Sequence, residues 1–223
     1  MATKKAKRLD ARSKEAITRD WQKQLPSMGI HRPMKLLRRA GPMLVGVYLQ
    51  RDSGGTYYVP TTHVHCLIRP SDNITLALRR PLGGSRVVHV SRHAEMHADA
   101  ARRLAEESPI PLAGDVDLTV LVDAYTNHIA QPTSHFPVTE YEDICLLKAW
   151  CGQVAGALQL LDAYRSALSS WPTHVLNEIG KPDQWRDRIA AIVRDREVME
   201  KCVADEIARH NVAGMPRSSL THG

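Results

Sequence analysis

Met43-Leu-Val-Gly-Val-Tyr-Leu49, Asp52-Ser-Gly-Gly55 and the run from Thr56 to Ile68 follow one another directly. The first is nearly all apolar, the pattern of a central strand covered on at least one face. The second is a turn signal, because its two glycines permit positive φ. The third resumes the strand pattern, with an interruption expected near Pro60. Two strands joined by so short a connection form a hairpin, so the sheet is antiparallel. Met34 to Arg39 precedes the hairpin, closed by Ala40-Gly41-Pro42. Beyond it Leu76 and Leu78 alternate with polar neighbours, Leu82-Gly-Gly-Ser85 turns the chain, and Val87 to Val90 completes four or five strands. Ahead of the sheet, Ile17, Trp21 and Leu25 recur every four residues. That spacing predicts a helix over 11–25, ended by Pro26.

After Ser91 the apolar period changes from 2 to 3.6. Ser91 is placed to cap a helix with Met96, Ala100 and Leu104 on one face, stopped by Pro109 and Pro111. Asp115 or Asp117 opens another, with Leu118, Leu121, Val122, Tyr125 and Ile129 as its stripe. Thr139-Glu-Tyr-Glu142 has capping-box spacing, in which hydroxyl and carboxylate satisfy free backbone donors reciprocally. It predicts one long helix reaching Trp171. Ile144, Leu147, Cys151, Val154, Leu158, Leu161 and Leu168 give that helix a seam for a neighbouring helix or a partner chain. The last helix starts near Pro182-Asp183, carries Trp185, Ile189, Ile192, Met199, Cys202 and Val203, and ends at Gly214 and Pro216. The expected fold is α+β: an N-terminal helix and antiparallel sheet, followed by a helical half with a long αα-hairpin. Residues 1–9 read as a basic tail, 10–92 as the sheet-bearing part, 93–214 as the helical part and 215–223 as a second tail. Together they form one compact domain with a helical extension.

Of 223 residues, 43% are hydrophobic and 24% charged, the balance of a folded chain rather than a disordered one. No apolar run approaches the roughly 18–20 residues of a membrane helix. No apolar segment follows Lys4, Lys5, Lys7 and Arg8, so no secretory leader is expected. Cys66, Cys145, Cys151 and Cys202 form no C-x-x-C pair, which argues against a structural zinc site or redox motif and for free thiols in a reducing cytoplasm.

Charge is divided unevenly. Residues 1–92 hold 18 basic and 5 acidic residues, and residues 93–223 hold 12 and 19. The front is therefore net positive and the back net negative. A surface bearing Lys4, Lys5, Lys7, Arg8, Arg12, Arg38, Arg39, Arg79 and Arg80 would attract nucleic acid or an acidic partner. Aromatic residues are too few for a base-stacking platform along a single strand.

The histidines supply the competing chemistry. His63 and His65 stand two apart on a strand and point to one face, with Val64, Cys66 and Ile68 toward the core. His93 and His97 stand one helical turn apart. With His89 they make a candidate five-histidine site for a divalent transition metal in a hydrolase or nuclease. Glu95 lies midway between His93 and His97, roughly 200° around the helix from either, and so cannot serve as a zinc protease's base. His93-Ala94-Glu95 lacks the later P-C-x-x-C of the zinc deaminases. Arg92 to His97 and Arg217 to His222 fit R-x4-H, a spacing of helical ribonucleases, but two residues alone specify little. No phosphate-binding glycine loop and no G-x-S-x-G is present.

The helix end Trp21-Gln-Lys-Gln-Leu25, Gly29-Ile30, Leu36-Leu37-Arg38-Arg39, Val45-Gly-Val-Tyr-Leu-Gln-Arg51 and Tyr57-Tyr58-Val59 carry a family likeness. Residues 21–66 resemble a bacterial family catalogued only as a domain of unknown function. Ile30 stands where that family has Phe, and Asp52-Ser53 matches its turn only in outline. The resemblance carries no chemistry. It implies an α+β fold in a bacterial or phage cytoplasmic protein. The sequence thus points first to a non-enzymatic binding or adaptor subunit without a cofactor. Its basic half would contact nucleic acid or an acidic partner, and its helices a second protein or another copy. The alternative is the metal-dependent hydrolase.

Overall fold

A computed structural model describes residues 10–84, 87–131 and 136–222. Helix α1 (Ala11–Gln24) starts where the Asp10 carboxylate accepts the Ser13 N–H at 2.7 Å, and buries Ile17 and Trp21. Strands β1 (Gly29–Arg32), β2 (Lys35–Ala40), β3 (Met43–Arg51), β4 (Tyr57–Cys66) and β5 (Ala77–Pro81) follow as an antiparallel meander. The short β6 (Val88–His89) adds to β4. The α+β expectation holds.

β4 runs through Pro60 without interruption, paired with Leu49 of β3. The Pro60 carbonyl accepts the Leu82 N–H at 2.8 Å. In an antiparallel strand a residue's N–H and C=O point the same way. The side on which Pro60 lacks a donor is therefore where the sheet passes from β6 to β5, and no ladder bond is lost.

A single turn of 3-10 helix, Val90–Arg92, replaces the expected Ser91 cap and leads into α2 (His93–Glu107). Next come β7 (Val116–Asp117) and α3 (Leu118–Ile129), whose first turn is capped by Asp117. The long helix predicted from Thr139 to Trp171 is two helices, α4 (Val138–Trp150) and α5 (Val154–Leu168). Gly152, at φ +84°, makes the break. Gln153 N–H bonds the Lys148 carbonyl and Gly152 N–H the Ala149 carbonyl, both at 2.9 Å, a Schellman pair ending α4. The capping box does not form either. Pro137 stands at the N-cap, and the Glu142 carboxylate instead accepts the Trp185 Nε1–H at 2.8 Å inside the helical half.

α6 (Thr173–Ile179), α7 (Pro182–Val193) and α8 (Arg196–Arg209) complete the helices. The predicted final helix is divided at Asp195, whose carboxylate accepts the Val198 N–H. α8 stops at Asn211 (φ +52°), before Gly214, with Val212 N–H bonded to the Ile207 carbonyl. The helical hairpin is thus realised in segments. α5 packs on α4 and α7, and Ile144, Leu147, Leu161 and Leu168 are buried within the chain itself. No helix among the described residues is long and apolar enough to cross a membrane.

Residues 215–222 are not a tail. β8 (Arg217–Ser218) runs parallel to β2, and β9 (Leu220–Thr221) pairs with β7. The Arg39 N–H donates to the Pro216 carbonyl at 2.8 Å.

His63 and His65 also depart from expectation. Both are buried, at 2% and 0% exposure, because the second face of β4 is covered too. The His63 ring lies over Gly46, its cross-strand partner. A Cβ at Gly46 would stand 2.3 Å from His63 Nε2 and 2.8 Å from Leu37 Cδ2. Only glycine at this central-strand position leaves room for the imidazole. Gly46→Ala should cost about 1–3 kcal/mol by overpacking. Denaturant unfolding checks this, and an unchanged midpoint would show that the ring moves freely aside.

Candidate functional site

The nine proposed surface cations do not share one fate. Lys4, Lys5, Lys7 and Arg8 lie outside the described residues. Arg12 is exposed on α1, and Arg79 and Arg80 are exposed on β5. Arg38 is not a surface residue. At 2% exposure its guanidinium donates to the Pro111 and Gly114 carbonyls at 2.6 and 2.7 Å and to the Ser218 hydroxyl. It ties β2 to the segment before β7 and to β8, so it braces the fold and is removed from any binding surface. Arg39, its neighbour, is half-buried beside β8.

Arg79 donates to the Gln50 side chain. Arg79 and Arg80 rim an open cleft of about 340 Å³ whose far wall includes Pro109, Asn127, His128 and Gln131. Among the described residues, Arg12, Lys14, Arg19, Arg32, Arg51, Arg79 and Arg80 form no ion pair with a carboxylate. The helical half behaves differently. Arg102 and Arg103 pair with Asp99, Arg165 with Asp183 and Arg186 with Asp162. Arg196, Lys201 and Arg209 likewise have carboxylate partners.

The five proposed metal-binding histidines do not converge. His93 belongs to a chain of hydrogen bonds joining three elements. Trp21 Nε1–H donates to the Tyr58 hydroxyl at 2.9 Å, and Tyr58 stands 2.7 Å from His93 Nδ1. His93 Nε2 faces Asp20 at 3.3 Å. These partners assign Nδ1 as acceptor and Nε2 as donor. His97 stacks on the His93 ring and bonds the His93 carbonyl through Nδ1 at 2.9 Å, while His89 lies edge-on to Tyr57. His65 stands seven residues beyond Tyr58 on β4, roughly 20 Å away at about 3.3 Å per residue.

At that far end a different set assembles. One ligand atom each from His65, Glu206 and His210 lies within 4.8 Å of the others. His65 sits edge-on to His210 with ring centroids 5.2 Å apart. His210 Nε2 and Glu206 Oε2 are 3.1 Å apart. The Ser71 N–H reaches the same oxygen at 3.1 Å, and Arg209 Nε holds Oε1 at 2.8 Å. Glu206 and His210 were missed in the sequence. Their one-turn spacing on α8 was the available signal, but it names no third partner.

A second buried polar group ties β4's exit to the helices. Arg69 Nε bonds Asp143 at 3.1 Å, and the Tyr125 hydroxyl donates to the same carboxylate at 2.9 Å. Burial pushes the Asp143 pKa up to about 6, against the lowering pull of Arg69. Burial likewise pushes the thiols of Cys66 and Cys145 up, so they are poor nucleophiles.

Burial, and then the nearby Lys35 ammonium, push the His63 pKa down to about 4 against a smaller opposing pull from the Thr75 backbone. The folded protein therefore keeps this imidazole neutral where the unfolded chain protonates it. Below the ordinary histidine value near 6.5, the unfolded state binds the extra proton and gains. Stability should fall as pH drops from about 6.5 toward 4, by on the order of 3 kcal/mol from this one group. Urea unfolding across that range checks the sign. A His63→Leu variant should show a shallower pH dependence, and an identical slope would remove His63 as its source.

No family model, no curated protein and no solved structure matches this chain.

Proposed function

We propose that this chain is a non-enzymatic binding subunit whose basic front half engages the phosphate backbone of nucleic acid. One observation carries the reading. Carboxylates within the chain compensate most cations of the helical half, whereas Arg12, Arg19, Arg32, Arg51, Arg79 and Arg80 are exposed and pair with none among the described residues. Uncompensated surface cations release counterions from a polyanion when they bind it, which drives association. Duplex is favoured over single strands, because Tyr48 and Tyr57 are half-buried and Tyr58 is buried, so the aromatic residues of β3 and β4 offer no exposed stacking platform. The scatter of the histidines argues against the hydrolase alternative in its five-histidine form.

Binding of the full chain to a random-sequence duplex should weaken steeply with salt. Four phosphate contacts correspond to a loss of roughly 100-fold between 50 and 200 mM. Replacing both Arg79 and Arg80 by alanine should lower the slope of log K against log salt by about 1–2, since each phosphate contact contributes about 0.9. Affinity that stays flat across this range would sink the proposal.

A further inference from the structure

We propose that His65, Glu206 and His210 together hold one divalent transition-metal ion of the zinc type, which clasps the end of α8 to β4. The inference is independent of nucleic-acid binding.

The donor set comes first. Two imidazoles and one carboxylate suit zinc and its neighbours. Magnesium and calcium take all-oxygen shells. Glu206 and His210 are placed by α8, with the left-handed Asn211 ending the helix immediately after His210. Their facing atoms stand 3.1 Å apart. Two ligands at 2.0–2.2 Å from one tetrahedral ion are separated by about 3.3–3.5 Å. The pair therefore already has nearly the spacing that sharing an ion requires. His65 needs only to close inward from within 4.8 Å.

His65 supplies the second, independent observation. Its side chain is fully buried, and Nε2 has no hydrogen-bond partner. Nδ1 is engaged by Thr75, whose hydroxyl lies at 2.9 Å and whose N–H lies at 3.1 Å. If Nδ1 carries the proton and donates to the hydroxyl, Nε2 is a buried lone pair with nothing to accept from. If Nδ1 accepts the N–H, Nε2 is a buried donor with nothing to give to. Either tautomer leaves an expensive orphan. A metal ion at Nε2 resolves it in the first tautomer: Nδ1–H then donates to the Thr75 hydroxyl and orients the ring as outer partners do for metal-binding histidines, and the Thr75 N–H gives up its bond to Nδ1. Glu206 is oriented in the same manner. Arg209 holds Oε1, and the Ser71 N–H steadies Oε2, the oxygen that faces His210. Three protein ligands leave a fourth tetrahedral position for water.

The test uses the full chain, stripped with chelator and reloaded. Zinc should bind at about one ion per chain and raise the melting temperature, and magnesium should do neither. Glu206→Gln and His210→Gln should each weaken zinc binding by roughly 10–100-fold or more, by analogy with the loss of a supporting partner. His97→Gln, at the other histidine group, should leave it unchanged. Zinc absent from the reloaded wild-type chain would overturn the proposal, as would undiminished affinity in both variants. Should the variants fail to fold, X-ray absorption of the cobalt-loaded wild-type protein decides. Two imidazole nitrogens and a carboxylate in the shell support the site, and an all-oxygen shell refutes it.

Discussion

β4 must be buried on both faces while carrying polar side chains on each. Tyr58 at its start is held by Trp21 and His93, which fixes α1 and α2 against the sheet. His63 and His65, on the opposite face, are enclosed in turn, the first over Gly46 and the second between Thr75 and His210. Buried polar groups cost free energy unless they find partners, so each of these side chains dictates what may approach it. The strand is in this sense a template. The elements that cover it come from 10–25, from 93–107 and from the far end of α8, so distant parts of the sequence converge on one strand.

The electrostatic division follows from the same assembly. The helical half spends its arginines on neighbouring aspartates and glutamates, many at i,i+3 or i,i+4. Pairs of that kind are worth little individually, but they leave the surface locally neutral. The front half has too few acids to do likewise: Asp10 and Asp52 are taken by a helix cap and a turn, and Asp20 is shared between Lys23 and His93. Its positive field is therefore a matter of stoichiometry as well as placement.

Much of the sheet could be seen in the sequence, because alternation of period two and the Asp52 turn are local signals. Pro60 misled because its harmlessness depends on two different strands sharing one edge of β4. His63 and His65 looked solvent-facing because alternation reports how many faces are apolar, not how many are covered. Glu142 had the spacing of a cap, yet Trp185, more than forty positions on, offers it a buried donor. The continuous apolar seam around Gly152 pointed to one helix, and the positive φ of that glycine outweighs it. Of the candidate metal ligands, His65 stood out, whereas Glu206 and His210 acquire meaning only once α8 is folded onto β4. Arg38 was indistinguishable from Arg39 in the sequence; the Pro111 and Gly114 carbonyls and the Ser218 hydroxyl make the first a brace, and the second stays half-exposed.

The pairing of β8 with β2 has a consequence for synthesis. Arg39 and Ala40 wait for Arg217 and Ser218, and translation at about 5–20 residues per second makes that interval roughly 10–40 s. Throughout it, part of one edge of β2 has no partner, and the Arg38 guanidinium lacks one of its acceptors. An unpaired edge recruits other strands. The nascent chain is thus most exposed to misassembly late, when nearly everything else can already have folded, and a ribosome stalled short of residue 217 would release a sheet with an open seam.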